Sequence, residues 1–373
     1  MQGVDSIRFG RATVWSFLTQ SGQIADPKVR QRVSELLNMY QDQAGDPKRT
    51  TPVRNIGVAS VGPLDLRPLK PSEAKEIENL RFVLFLCCLA DNVRWQGPNS
   101  GHNAYTSDNF DVIRQTFNLG SESLADKVGV IVRRTLMGYR IDTAKFLTPA
   151  HVNRPNTFRY DSQLLAQLRR LRRSDRALCN RILRATGVFL ASYYNSHSLS
   201  IDARVLLQAS AFEILFDLPE KDQRLAFKNA VEDLLAYCDE RRYRYKYEVR
   251  SQKKSETRTI KGIWADRFYT LRNHLIHGNI VPQREYVFRA SQHHLVVSPI
   301  VFVLAAKKLI DRARRNSGQS EAFSEKLSWT TSQPVDDDQE PSGGFRIDND
   351  FAAMIRNLPS GRRALRAFQA RDS

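Results

Sequence analysis

Cysteine is scarce in these 373 residues: Cys87, Cys88, Cys179 and Cys238 make four in all. None stands in a CxxC or Cys/His pattern of the kind zinc needs, and four are too few to staple a small secreted scaffold. A reducing cytoplasm and no structural metal are therefore expected. Long apolar runs are missing too: the most apolar stretch, FVLFLCCLA at 82–90, is far shorter than the roughly 20 residues a membrane crossing requires. The opening MQGVDSIRFGRATVW lacks a basic region leading into an apolar one, so no export signal is expected. No GxxxxGK[ST] loop is present and the glycines are too scattered for a dinucleotide fingerprint, so neither ATP-driven chemistry nor a cofactor is expected.

Negative charge is the minority: 57 Lys and Arg face 40 Asp and Glu, a balance of +17. Such an excess points to a polyanion or an acidic surface as partner, nucleic acid first. It is concentrated, because residues 151–316 hold 31 basic and 16 acidic side chains, a balance of +15. Any polyanion is expected to dock there.

The texture of the chain suggests its organisation. Residues 1–50 are polar with a weak helical pattern, VRQRVSELLNMYQDQ at 29–43, and read as an N-terminal extension. From 51 to 146, short apolar runs are broken by Pro, Gly and Asn, which predicts a β-rich or mixed α+β domain that senses or regulates. The double-proline segment LTPAHVNRPNTFRYD, 147–161, reads as a junction. Helical patterns follow at 162–195, 202–218, 221–240, 264–278 and 298–315, and a four- to five-helix bundle over 147–316 is the natural packing. Within 202–218, Val205, Ala209, Phe212 and Phe216 recur as one buried face would. Residues 317–343 are rich in Ser, Gln, Gly and acids and read as a flexible linker; the tail 344–373 is expected to hold a short helix. The fold class expected is α+β, a mixed N-terminal domain followed by an all-α bundle.

One cluster could carry chemistry, the RNHLIH of 272–277. On a helix, Asn273 and His277 are i and i+4 and share a face, while Leu271 and Leu275 mark an apolar one. Arg272 lies roughly 140° round from His277, so its long side chain must swing to share a ligand with the imidazole. A histidine that moves protons and an arginine that holds an anionic phosphate suit metal-free phosphodiester cleavage of RNA, which supplies its own nucleophile in the 2′-OH. The same string is equally a helix C-terminus, with His277 offsetting the dipole before a Gly278 cap.

The string LRNHLIHGN resembles the Arg-polar-x3-His motif of HEPN domains. The preceding LSIDARVLLQASAFEILFDLPEKDQRLAFKNAVEDLL is similar to the Apea-like HEPN branch, whose A-x-E-x-L setting matches Ala211 to Leu215 with Glu213. The likeness covers about residues 147–312. It implies a helical bundle that dimerises and joins two Arg/His motifs in a composite RNA-cleaving cleft, commonly in phage defence or toxin-type stress responses. Arg272 and His277 would be catalytic, Asn273 the supporting polar residue and Glu213 a further support. His274 adds a second imidazole that could assist phosphate binding or simply be solvated or packed.

RRYRYKYEVRSQKK, 241–254, alternates Arg242, Arg244 and Lys246 with Tyr243, Tyr245 and Tyr247. In an extended strand this separates bases from rings, as an RNA grip would, or forms a hairpin whose tyrosines pack on the bundle. RRLRRSDR at 169–176 is a solvated helix face or a phosphate track. The His293-His294 pair has no third ligand at short spacing, so no metal is expected there.

These features together predict a cytoplasmic, metal-independent endoribonuclease acting on tRNA or mRNA as a homodimer, away from membranes. The N-terminal domain would bind a phage or cellular trigger. The alternative is a non-catalytic RNA- or nucleotide-binding dimer that acts as a sensor or assembly module. A DNA-binding regulator is a third option, without a helix-turn-helix signature to support it.

Overall fold

The computed structural model describes residues 6–16, 24, 26–37, 40–42, 51–52, 57–62, 69–95, 110, 146–148, 160–193, 199–235, 242–249, 252–288 and 293–316. The chain forms two compact units: Met1–Arg81 with Phe110–Arg159, and Phe82–Asn109 with Tyr160–Ser373.

In the first unit β1 (Ser6–Phe9), β2 (Ala12–Ser16) and β5 (Gly57–Val61) make an antiparallel sheet with β2 at its centre. Ile7 and Phe9 are buried and Ser6 and Arg8 exposed, the period of two that a half-buried strand imposes. Residues 1–50, expected to form an extension, thus supply two of the three strands. A second sheet places β3 (Tyr40–Asp42) between antiparallel β4 (Thr51–Pro52) and parallel β6 (Phe146–Thr148). Helix α1 (Pro27–Leu37) stops before Tyr40, which enters β3 rather than continuing the helical pattern expected through residue 43.

Helix α2 (Pro71–Trp95) is the main departure from the strand-rich expectation for 51–146. Pro71 stands at the first helical position and the Glu73 carboxylate accepts from the Lys70 backbone N–H at 2.9 Å, a start that spares both orphan donors. Every residue from Val83 to Ala90 is buried. A helix that is apolar all round has no 3.6-residue signature, so in sequence it looks like a buried strand. The apolar run KVGVIVRRTLMGYRI, 127–141, lies outside the described residues, as do 317–343 and the tail 344–373.

The second unit takes α2 from Phe82 onward together with α3 (Ser162–Ser174), α4 (Arg176–Ala191), α5 (Ile201–Phe216), α6 (Gln223–Leu234), the hairpin β7 (Arg242–Val249) and β8 (Gln252–Thr259), α7 (Ile260–Ile276) and α8 (His294–Asn316). The Asp161 N–H donates to the Cys87 carbonyl at 3.0 Å, and the Phe85 and Tyr193 rings meet edge-on at 5.6 Å. The apolar half of α2 therefore belongs with the bundle. Asp175 divides the single helix expected over 162–195: its N–H closes α3 on Leu171 and its carboxylate opens α4 on the Leu178 N–H at 2.9 Å.

At the centre lies Phe212, with the rings of Phe227, Phe302, Phe268, Trp264, Phe189 and Phe216 all between 5.3 and 6.1 Å away. Val205, Ala209 and Phe212 are fully buried, and Phe216 is half-buried at the end of that face. Together the two units are mostly helical with small sheets, an α+β protein. Among the described residues no helix is long and apolar enough to cross a membrane.

Candidate functional site

Helix α7 carries the RNHLIH string, and its two ends explain where that string lies. At its start the Thr259 hydroxyl caps the Gly262 N–H at 3.2 Å. Glu232 on α6 accepts from the Thr259 N–H at 3.2 Å, the Thr259 hydroxyl at 2.7 Å and the Arg258 guanidinium at 2.6 Å. A Cβ on residue 262 would stand 2.2 Å from that carboxylate, so glycine here leaves the Glu232 side chain the space it occupies at the cap.

At the far end the Asn279 N–H reaches the His274 carbonyl and the Gly278 N–H the Leu275 carbonyl, with Gly278 at φ +70. This is a Schellman cap, and it places His277 as the last residue before the reversal. The helix-terminus and site interpretations of the string therefore share one geometry. His277 is exposed, and its side chain makes no hydrogen bond among the described residues.

Arg272 is held from the neighbouring helix. Its guanidinium meets Glu213 of α5 at 2.8 Å, donates to Asn273 Oδ1 at 3.1 Å and lies 5.0 Å over the Tyr269 ring. The Tyr269 hydroxyl lies 2.7 Å from the same Glu213 oxygen and 2.8 Å from Gln223 Oε1 of α6. That hydroxyl has a single proton to give, and the carboxylate is the stronger acceptor. Burial first, then Glu213, hold the phenol well above its ordinary range, so Tyr269 stays a donor.

Glu213, Arg272 and Asn273 are thus brought together. Tyr269 and Gln223 join them unanticipated, although the three-residue step from Tyr269 to Arg272 was a signal that both share a face. No hydrogen bond joins Arg272 to His277 among the described residues, as their five-residue spacing implies.

His274 does not join this group. Its Nδ1 lies 3.0 Å from Glu285 on the short 3-10 turn Gln283–Tyr286, which ties the two segments flanking the cap.

The hairpin β7–β8 adopts the extended form considered for 241–254. Arg242, Tyr243, Arg244 and Lys246 pair in register with Thr259, Arg258, Thr257 and Ser255, and their side chains lie outside the described residues. Tyr245 is buried, at 8% exposure, and its hydroxyl donates to Asp266 of α7 at 3.0 Å. Burial first, then Asp266, push its phenol up to about 12. This ring therefore packs on the bundle and offers no free face for a base. Asp266 is fixed in turn by two 2.8 Å bonds from Arg224 of α6.

His294 is fully buried amid Phe268, Phe288 and Trp264, with ring centroids 5.7, 6.0 and 6.4 Å away. Among the described residues no group of three or more His, Cys, Asp or Glu could hold a metal ion.

Comparisons of the chain with protein-family models, with curated proteins and with solved structures find no match.

Proposed function

We propose that this chain is an endoribonuclease of the Apea-like HEPN type that cleaves RNA through its own 2′-OH. The observation supporting this is the pairing of Glu213 with Arg272 at 2.8 Å, on the helix that ends at an exposed His277. A salt bridge to the neighbouring helix and a ring beneath it hold the guanidinium in place, as a phosphate-binding group must be held. The imidazole at the helix end is open to a ligand.

In this mechanism His277 takes the proton from the 2′-OH as its oxygen bonds to phosphorus. Arg272 stabilises the charge gathering on the non-bridging oxygens. The P–O5′ bond breaks, and the departing 5′-oxygen takes up a proton. The products are a 2′,3′-cyclic phosphate and a 5′-OH end, and no metal enters the balance.

The site is expected to be completed by a second copy of the chain, whose His277 supplies the second proton transfer. Ile276 and Ile280, which flank His277 and the cap, are 50% and 99% exposed, the apolar surface such a contact would cover.

The test is to incubate wild type, His277→Ala and Arg272→Ala with tRNA and total RNA in EDTA and map the fragment ends. Cleavage by wild type alone, leaving cyclic phosphates, supports the proposal. RNA binding without cleavage by any of the three full-length chains would overturn it in favour of a non-catalytic RNA sensor.

A further inference from the structure

The His277 side chain makes no hydrogen bond among the described residues, so its place is set by the backbone on either side of it. On the near side that backbone is α7, which Arg272 and Tyr269 fasten to Glu213 of α5. On the far side the chain leaves the Gly278 cap, makes the 3-10 turn Gln283–Tyr286 and is fastened again. Glu285 meets His274 Nδ1 at 3.0 Å, one turn before His277. The Tyr286 hydroxyl donates to Asp202 Oδ1 at the start of α5, and the Tyr286 ring stacks on His293 at 5.9 Å with 26° between the planes. Val287 forms an antiparallel bridge with His293, just ahead of α8.

Asp202 and Glu213 both belong to α5. Eleven residues of helix make three turns and about 20° more, so the two carboxylates stand on one face, roughly 16 Å apart along the axis. One helix therefore grips the chain on both sides of His277. Glu213 takes Arg272, five residues before it, and Asp202 takes Tyr286, nine residues after it.

An acid in the first turn of α5 answers the helix dipole, and that accounts for Asp202 by itself. It does not account for a tyrosine from beyond α7 turned onto the same carboxylate. Burial first, then Asp202 and Glu285, hold the Tyr286 phenol well above its ordinary range, so the hydroxyl remains a donor. The bond lies at the surface, where polar contacts add little to overall stability. What it fixes is the course of the chain after the cap.

We propose that Tyr286, anchored on Asp202, is a positioning residue for His277, and that α5 is the common mount of the two groups that act on the scissile phosphate. The role of His277 rests on the function proposed above; the anchoring does not. A proton-transfer group must be held within about 0.5 Å of its productive place. An imidazole at a helix end, without side-chain partners, keeps such a place only if the chain beyond the helix is pinned.

The test uses the full chain and Tyr286→Phe, which keeps the ring on His293 and removes the hydroxyl alone. Hydrogen exchange is measured at the cap amides of Gly278 and Asn279, and kcat and KM for a labelled single-stranded RNA in EDTA. Exchange is expected to rise about 5- to 10-fold, the equivalent of one hydrogen bond. The expected fall in kcat is about 10-fold or more with KM nearly constant, since a reacting group misplaced by about 1 Å can cost about 100-fold. Asp202→Asn keeps an acceptor oxygen and is expected to retain most of kcat. Asp202→Ala should match Tyr286→Phe, and the two changes together should lose no more than either alone. Circular dichroism and the urea midpoint check that each variant is folded. Unchanged cap exchange, unchanged kcat in a chain that cuts, or additive losses in the double variant would overturn the proposal. If wild type does not cut RNA, the function proposed above fails by itself and cap exchange alone decides whether Tyr286 holds His277 in place.

Discussion

Glu213 on α5 and Arg272 on α7 form a 2.8 Å ion pair, and the carboxylate oxygen of that pair also takes the Tyr269 hydroxyl at 2.7 Å. Both charged side chains are less than one-fifth exposed. The pair is thus more than a surface contact of negligible worth, and breaking it from one side leaves a partly buried charge without its partner.

Glu213→Gln is expected to destabilise the bundle by about 1–3 kcal/mol and, under the proposed function, to lower RNA cleavage at the same time. The urea midpoint and the cleavage rate measure the two effects. A variant with both unchanged would mean that Arg272 does not depend on Glu213 for its position.

Tyr269→Phe keeps the ring 5.0 Å beneath the guanidinium and removes only the hydroxyl. A destabilisation of about 1 kcal/mol is expected, typical of one buried hydrogen bond. If the hydroxyl positions Arg272, kcat falls while KM holds. A fall in stability alone would make Tyr269 purely structural.

Gly262→Ala places a methyl 2.2 Å from the Glu232 carboxylate and forces it from the cap of α7. The expected penalty is about 1–3 kcal/mol, in the range for overpacking and loss of a cap. Adding Glu232→Ala relieves the clash, so the double variant should be destabilised by less than the two single changes together. Strict additivity in a double-mutant cycle would disprove the close approach.

His293 and His294 are buried: desolvation lowers the pKa of His293 to about 4, and desolvation first, then the charges of His293 and Arg267, lower that of His294 to about 3. The folded state keeps both rings neutral, while the unfolded chain protonates them below its ordinary value near about 6.5. The unfolded state therefore binds more protons in acid. Stability from this source is full above about pH 6.5 and is lost as pH falls toward about 4. Urea midpoints measured across that window should fall in wild type and fall less in His294→Phe, whose ring fits the aromatic surroundings of Phe268, Phe288 and Trp264. An equal slope in both would place the titration elsewhere.

Much was legible where local chemistry is decisive. The apolar period of Val205, Ala209 and Phe212 located a buried face, and the glycine after His277 located a helix end, because periodicity and a left-handed cap depend on a few adjacent residues. Less was legible where an element is uniform: Val83 to Ala90 is buried on every side, so no period marks it as helix. The break at Asp175 was hidden too, since one aspartate closes α3 and opens α4 within an unbroken helical composition.

The sequence by itself determined the inventory: the basic excess of 151–316, the Arg-Asn-x3-His string, its termination at Gly278 and Glu213 in its own helix. Only the tertiary structure decided which of these meet. The Glu213 carboxylate reaches Arg272 and Tyr269 because Phe212 packs α5 against α7, and Lys307 of α8 meets Asp161, the residue that opens α3, across 146 positions of sequence. Side chains distant in sequence come together through the burial of apolar faces, and spacing along the chain carries no record of it.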